Sequence, residues 1–98
     1  RNREGLAEEI GSEIARRNFY RREEALSKAE AKRRNSLRSI FSIEKNGRKM
    51  YLSIDFEKCI AFEWCDHNGE HLGEFRFDGK QSGAKDVTGK HDILTLRK

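Results

Sequence analysis

The sequence predicts an α+β domain in which an N-terminal helix or helices precede a twisted antiparallel meander sheet of four to five strands. Two observations support this fold class. Apolar residues recur at steps of three and four in the first third of the chain, which is the helical period, and alternate with polar residues afterwards, which is the strand period. Asn-Gly and Asp-Gly pairs, which favour tight hairpin turns, separate the alternating segments. The 98 residues suffice for one domain with a single modest core.

The helical segment is predicted over residues 1–36, either as a linker or as a helix packed on the sheet. Residues 4–34 contain no proline and are rich in Ala, Glu, Lys and Arg, which favour helix. Gly5 and Gly11 weaken the first half of this segment, and Asn18 can mark a break. We therefore expect either two short helices or one long kinked helix.

The sheet is predicted over residues 37–98, because the apolar period changes to two at this point. In the second strand Leu52 and Ile54 face one side of the sheet, whereas Ser53 and Asp55 face the other. Asn-Gly pairs follow the first and third strands and predict hairpins there. The predicted strands are residues 37–45, 48–56, 60–66, 70–77 and about 91–97.

The net charge of +4 is unevenly distributed. Residues 28–49 hold eight basic and two acidic side chains, whereas residues 50–98 hold seven basic and nine acidic ones. A positive patch attracts polyanions through counterion release, so nucleic acid is the expected partner. A solubilising helix face is the alternative interpretation. The residues predicted to bind RNA are Arg33, Arg34, Arg38, Arg48, Lys49 and Lys90.

Several classes of protein are disfavoured by what the sequence lacks. It has no phosphate-cradling glycine loop and no Gly-x-Ser-x-Gly elbow, so nucleotide hydrolysis and serine chemistry have no support. No stretch has the apolar length of a membrane span, and none resembles a signal peptide. Because the chain begins at Arg1 and its only methionine is Met50, we expect a fragment of a longer polypeptide.

Two cysteines and two histidines raise the possibility of a zinc site. Structural zinc sites usually take two ligands from cysteines two to four residues apart, but five residues separate Cys59 from Cys65. We therefore predict no metal and no cofactor, and we expect both cysteines to be reduced packing residues.

The motif His71 to Phe75 gives the chain its clearest likeness to a known family. Together with Asp55, Gly79-Lys80-Gln81 and the basic residues from Lys90 onward, it resembles the cytotoxic ribonuclease domain of ribosome-cleaving colicins and related contact-dependent inhibition toxins. In that family an aspartate-bearing strand leads to a His-Leu-Gly-x-Phe strand, a Gly-Lys/Asn-Gln turn and a basic C-terminal segment. The resemblance covers roughly residues 48–98.

The resemblance implies a metal-independent endoribonuclease that cuts ribosomal RNA or tRNA in competing bacteria. It also implies a larger toxin that is secreted or delivered at the cell surface and acts in the cytoplasm of the target cell. A cognate immunity protein, expected to be acidic because it imitates the substrate's charge, would block the active face. The alternative is a non-catalytic module that binds RNA or a protein, and the slight acidity of the second half favours it.

Cleavage of RNA by its own 2′-hydroxyl needs a base, an acid and groups that stabilise the phosphorane. The toxin family carries Asp-x-x-His-x-x-x-Glu. Counting back from His71 places the histidine at Lys58 and the glutamate at Phe62, so Glu63 is one position late. Either a bulge restores Glu63 to the site, or the catalytic group is a different residue. Histidines titrate near neutral pH, which makes His91 a further candidate. The predicted catalytic residues are Asp55 and Glu63 as base or orienter, His91 as acid or base, Lys58 (with Lys90) as phosphate stabiliser, and His71.

Overall fold

The computed structural model describes residues 2–84, 88–89 and 91–96. They form two α-helices, a six-stranded antiparallel sheet and a short 3₁₀ helix, so the predicted α+β class is confirmed. No helix in these ranges is long and apolar enough to cross a membrane. The elements are α1 (Arg3–Arg17), β1 (Arg21–Arg22), α2 (Glu24–Arg34), β2 (Ile40–Lys45), β3 (Arg48–Asp55), β4 (Ala61–Cys65), β5 (His71–Arg76), β6 (Gln81–Gly83) and the 3₁₀ helix (Leu94–Leu96).

The N-terminal segment forms two helices with a break at Asn18, as one of the two predicted arrangements has it. Asn2 caps α1, because its side-chain oxygen accepts a hydrogen bond of 2.6 Å from the backbone N–H of Gly5. Asn35 ends α2 in the left-handed conformation, with φ 51°, which asparagine tolerates better than most residues.

The sheet is a meander in the order β1-β2-β3-β4-β5-β6. The predicted hairpin at Asn46-Gly47 is confirmed, since both residues have positive φ (53° and 78°) and the flanking residues Lys45 and Arg48 pair. The sheet has six strands instead of the predicted four to five. The short strands β1 and β6 are too brief to show an alternating pattern, and backbone pairing with β2 and β5 alone identifies them.

The apolar face of the sheet packs against α1. Leu52, Ile54 and Phe62 form this core with Ala7 of the helix. A Cβ atom added at Gly11 would lie 2.8 Å from Cδ1 of Ile54, so the glycine allows α1 to lie directly on β3. Burial of one such large apolar side chain contributes about 1.5–3 kcal/mol.

The opposite face of the sheet carries a second, smaller core beneath α2 and the 3₁₀ helix. Ile40, Tyr51, Cys65 and Ile93 form it. Ser27 attaches α2 to the sheet, since its hydroxyl accepts a hydrogen bond of 2.8 Å from the N–H of Ile40. This face is polar toward the ends of β3 and β5, and there the helices leave a cleft.

The predicted strand at 91–97 is wrong for the part of it that the structure describes. Residues 91–93 form a turn and Leu94–Leu96 form the 3₁₀ helix. Two contacts explain the difference. The edge of β5 is already paired with β6, and the carboxylate of Glu30 accepts the N–H groups of Leu94 and Thr95 that a strand would have directed to a neighbour.

Candidate active site

A cleft of about 340 Å³ opens on the polar face of the sheet. It lies where β3 ends, between the end of α2 and the C-terminal segment 91–96. Cationic, anionic and titratable groups meet here, which is the usual composition of a site that does acid–base chemistry. The polar residues that line it include Arg34, Arg38, Ser53, Asp55, Glu57, Glu63 and His91.

The register of β3 and β4 places Glu63 on the same face as Asp55. Ser53 pairs with Glu63 and Asp55 pairs with Ala61, without a bulge between the two strands. Glu63 therefore shares a face with Asp55 without the bulge that one of the two alternatives required. In the turn between the strands, Cys59 adopts a positive φ of 63°.

Asp55, Glu63 and Glu74 bring carboxylate oxygens within 4.8 Å of one another. Glu74 joins the group because it pairs with Glu63 across β4 and β5. Lys58 offsets part of the charge, since its Nζ donates to both oxygens of Glu74 at 2.9 and 2.8 Å. This hydrogen bond raises the pKa of Lys58. Burial raises the pKa of Glu74, but the hydrogen bonds from Lys58 and Ser82 outweigh it and the pKa is lowered.

Asp55 has a second role in the turn that follows β3. Its Oδ1 accepts hydrogen bonds from the backbone N–H groups of Glu57 (3.0 Å) and Lys58 (3.2 Å). Side-chain acceptance of this kind is typical of Asp at turns. The turn therefore fixes the carboxylate in place at the edge of the cleft.

Glu63 is the most perturbed acid in this group. Only 6% of the residue is exposed, and burial, together with the Asp55 and Glu74 carboxylates, raises its pKa to about 8 despite the opposing effect of Lys58. The carboxyl group is therefore largely protonated at neutral pH. A carboxylic acid in this state can donate a proton to a leaving group.

His71 and His91 contact opposite oxygens of Glu63. Nε2 of His71, which is 2% exposed, lies 2.7 Å from Oε1. Nδ1 of His91, whose side chain is 32% exposed, lies 3.7 Å from Oε2. The two imidazole rings are 5.1 Å apart. The carboxyl group thus connects a buried histidine with one that reaches the cleft.

The structure brings the five predicted catalytic residues into one cluster around Glu63 and Glu74. Lys58 is at its exposed edge, with 56% of its side chain accessible. Its charge is directed at Glu74. His67, which was also a candidate, lies in the exposed turn after β4.

The predicted RNA-binding residues fall into two groups. Arg33 and Arg38 are near the cleft end of the molecule, and Arg38 is half-buried in the cleft wall, where burial and the neighbouring Arg34 lower its pKa from the ordinary arginine value. Arg48 and Lys49 are at the opposite end of β3, about 23 Å and about 20 Å from Asp55 at about 3.3 Å per residue. Lys90 lies outside the described residues.

Arg34 has a structural role in addition to lining the cleft. Its Nε pairs with the Glu30 carboxylate at 3.1 Å, and its Nη2 donates to the backbone oxygen of Asp92 at 2.5 Å. Only 17% of this side chain is exposed. Arg34 is therefore engaged with the protein itself.

The carboxylates of Asp55, Glu63 and Glu74 are the group that could hold a divalent cation, because hard cations prefer oxygen ligands. The ammonium group of Lys58 offsets part of their charge, and the raised pKa of Glu63 means that this carboxyl group ionises less readily. Cys59 and Cys65 are both free thiols, as expected.

Sequence reasoning missed three polar residues at or near this site: Ser53, Glu74 and Glu30. Ser53 shares a face with Asp55, so strand alternation identifies it. Glu74 requires the register of β4 with β5, which contains a bulge. Glu30 resembles any charged residue of a surface helix until its partners near the C-terminus are known.

Comparisons of the chain with protein-family models, with curated proteins and with solved structures found no match in any of the three. The resemblance of the chain to ribonuclease toxins therefore stays a prediction from the sequence.

Proposed function

We propose that this domain is an endoribonuclease that cleaves RNA by transesterification and does not require a metal. The observation that carries the proposal is the contact of Glu63 with two histidines, one buried and one reaching a cleft that arginines also line. This arrangement supplies a proton donor, a proton acceptor and a cation in one place. These are the three requirements of the reaction.

The acid and the base are assigned from their surroundings. Glu63, with its pKa raised to about 8, carries the proton for the departing 5′-oxygen. The imidazole of His91 takes the proton of the 2′-hydroxyl. The 2′-oxygen then bonds to phosphorus while the bond from phosphorus to the 5′-oxygen breaks, and the products are a 2′,3′-cyclic phosphate and a 5′-hydroxyl end.

The distance between the two groups suits the return of the proton. After cleavage His91 is protonated and Glu63 is ionised. Because Nδ1 of His91 lies 3.7 Å from Oε2 of Glu63, a small movement or one bridging water passes the proton back and restores both groups.

Charge on the phosphorane is stabilised by Arg38, which lines the cleft from the side of α2. Lys58 stabilises an incoming phosphate at the exposed edge of the cluster, although it must share its charge with Glu74. The remaining basic residues, Arg33, Arg48 and Lys49, contribute affinity for the RNA backbone.

The biological setting proposed for this activity comes from the resemblance to the colicin-type and contact-dependent inhibition toxins. The substrate would be ribosomal RNA or tRNA of a competing bacterium. The domain would be delivered as part of a larger secreted or surface-displayed toxin, and an acidic immunity protein would cover the cleft in the producing cell.

The test is direct. The purified domain is incubated with ribosomes and with tRNA in the presence of EDTA, and the RNA ends are mapped. We expect discrete fragments with 2′,3′-cyclic phosphates, and a dependence on His91 but not on the exposed His67. Intact RNA at high protein concentration would overturn the proposal that the domain is an enzyme. If such a sample nevertheless bound RNA in a filter assay, the alternative of a non-catalytic RNA-binding module would replace it.

A further inference from the structure

The segment that carries His91 is held mainly by side chains from distant parts of the chain. Residues 91–93 have no strand conformation, and a single 3₁₀ turn follows them. Their position relative to Glu63 therefore depends on the groups that bind this segment from outside.

Glu30, in the middle of α2, binds the segment most extensively. Its carboxylate accepts hydrogen bonds from the N–H of Leu94 (3.0 Å), the N–H of Thr95 (2.9 Å) and the hydroxyl of Thr95 (2.7 Å). Arg34 adds an ion pair at 3.1 Å. Only 1% of Glu30 is exposed, and a buried carboxylate is tolerated only when it is satisfied in this way.

The same hydrogen bonds keep Glu30 ionised. Burial raises its pKa, but the bonds from Thr95, Leu94 and Arg34 outweigh that effect and lower the pKa below its ordinary value. The anchor is therefore a charged one at neutral pH, and hydrogen bonds to a charged group are about twice as strong as neutral ones.

A second set of contacts holds the segment just after His91. Oδ1 of Asp92 accepts the N–H of His71 at 2.8 Å, and the N–H of Ile93 donates to the oxygen of Gly69 at 2.8 Å. Gly69 has a φ of +81°, and a Cβ atom there would lie 2.5 Å from the oxygen of Ile93. The segment is thus held from two sides, by helix α2 on one side and by the hairpin after β4 on the other.

We infer that Glu30 is a positioning residue for His91: by fixing Leu94 and Thr95, and with Arg34 the backbone of Asp92, it sets the His91 imidazole against Glu63. This inference rests on the proposed function for its catalytic consequence, although the placement of His91 can be tested without any activity. On this inference, helix α2 contributes to the geometry of the site through Glu30.

The experiment compares Glu30→Gln with a matched control, Ser27→Ala. Both residues are buried and polar, and they lie one turn apart on α2, but among the described residues the side chain of Ser27 bonds to Ile40 in β2 and not to the C-terminal segment. The ring resonances of His91 and His67 are followed by NMR, and turnover on RNA is measured with kcat and KM separated. Thr95→Val, which removes one donor to Glu30 and leaves its carboxylate, is the variant to use if Glu30→Gln does not fold.

We expect Glu30→Gln to shift or broaden the His91 resonances, to leave those of His67 in place, and to lower kcat about tenfold or more with little change in KM, as small misplacements of a reacting group do. Thr95→Val should act in the same direction and more weakly, and Ser27→Ala should lower only the melting temperature. Unchanged His91 resonances in Glu30→Gln would overturn the positioning role. Shifted His91 resonances with unchanged kcat would leave Glu30 as the anchor and remove His91 from the proposed chemistry.

Discussion

Oε2 of Glu63 faces Nδ1 of His91 across 3.7 Å, and it is the one buried side-chain oxygen or nitrogen without a hydrogen-bond partner within residues 2–84, 88–89 and 91–96. Most buried polar atoms in proteins have a hydrogen-bond partner, so an exception needs an explanation. The other oxygen of the same carboxyl group is bonded to His71. Substitutions of Glu63 and His91 therefore test the proposed chemistry most directly.

Replacing His91 by Ala should lower turnover about a hundredfold or more, the usual scale for losing one acid–base group. The half-exposed position of His91 means that the fold should survive. The measurement is RNA cleavage alongside a thermal melt, with His67→Ala in the exposed turn as the matched control. Full activity in His91→Ala would contradict the assignment, and loss of activity in His67→Ala without unfolding would move the site toward the turn after β4.

Replacing Glu63 by Gln should abolish proton donation while making the protein more stable at alkaline pH. The folded pKa of about 8 lies above the unfolded value near 4.3, so the folded state binds more protons between these values and wild-type stability falls as pH rises through that window. The slope from this one group is at most about 1.4 kcal/mol per pH unit. Denaturant melts of both proteins from pH 5 to pH 8 give the difference, and a constant difference would show that Glu63 is ionised in the fold.

Replacing Asp55 by Asn should move the alkaline limb of the pH–activity profile to lower pH. The amide oxygen of Asn can still accept the two turn N–H groups that Asp55 binds. The negative charge that helps to raise the pKa of Glu63 is lost, so Glu63 gives up its proton earlier. The profile of kcat/KM against pH measures this. If the limb stays where it is in the wild type, Glu63 is not the group that titrates there.

The two groups of basic residues should respond differently to substitution. Arg38→Ala is expected to reduce both RNA affinity and kcat, because this side chain lines the cleft. Arg48→Ala with Lys49→Ala should reduce affinity alone, since these residues lie at the far end of β3. Each lost phosphate contact removes about 0.7–0.9 from the slope of log affinity against log salt. Unchanged slopes would assign the basic residues a solubilising role.

Local sequence signals predicted the meander and its two faces well. The Asn46-Gly47 pair specified its turn, and alternation placed Ser53 and Asp55 on the face opposite Leu52. These features depend on neighbouring residues and on a period of two, which a single sequence contains. The break at Asn18 was also predictable from a local signal, the asparagine itself.

The features that could not be predicted all depend on distant contacts. Residues 91–96 carry Ile93, Leu94 and Leu96 in a pattern that suits a strand, but the carboxylate of Glu30 captures their amides. The face on which Glu63 lies is set by its pairing with Ser53 across β3 and β4, and this register is not contained in a count of residues. The contacts of Glu63 with His71 and His91 depend on how β5 and the C-terminal segment pack together, which a single sequence does not show.

The bonds between Glu30 and Thr95 join residues 65 positions apart. Closing a loop of this length costs more conformational entropy than forming the hairpins of the meander, where neighbours pair first. The sheet should therefore assemble early and the contacts of Glu30 with Leu94 and Thr95 late, so that a refolding chain has a period in which the meander exists but His91 is not yet placed beside Glu63. Pulse-labelled amide exchange at Leu94 and Thr95, compared with β3 and β4, would time this step, and protection of all four regions together would show that no such delay exists.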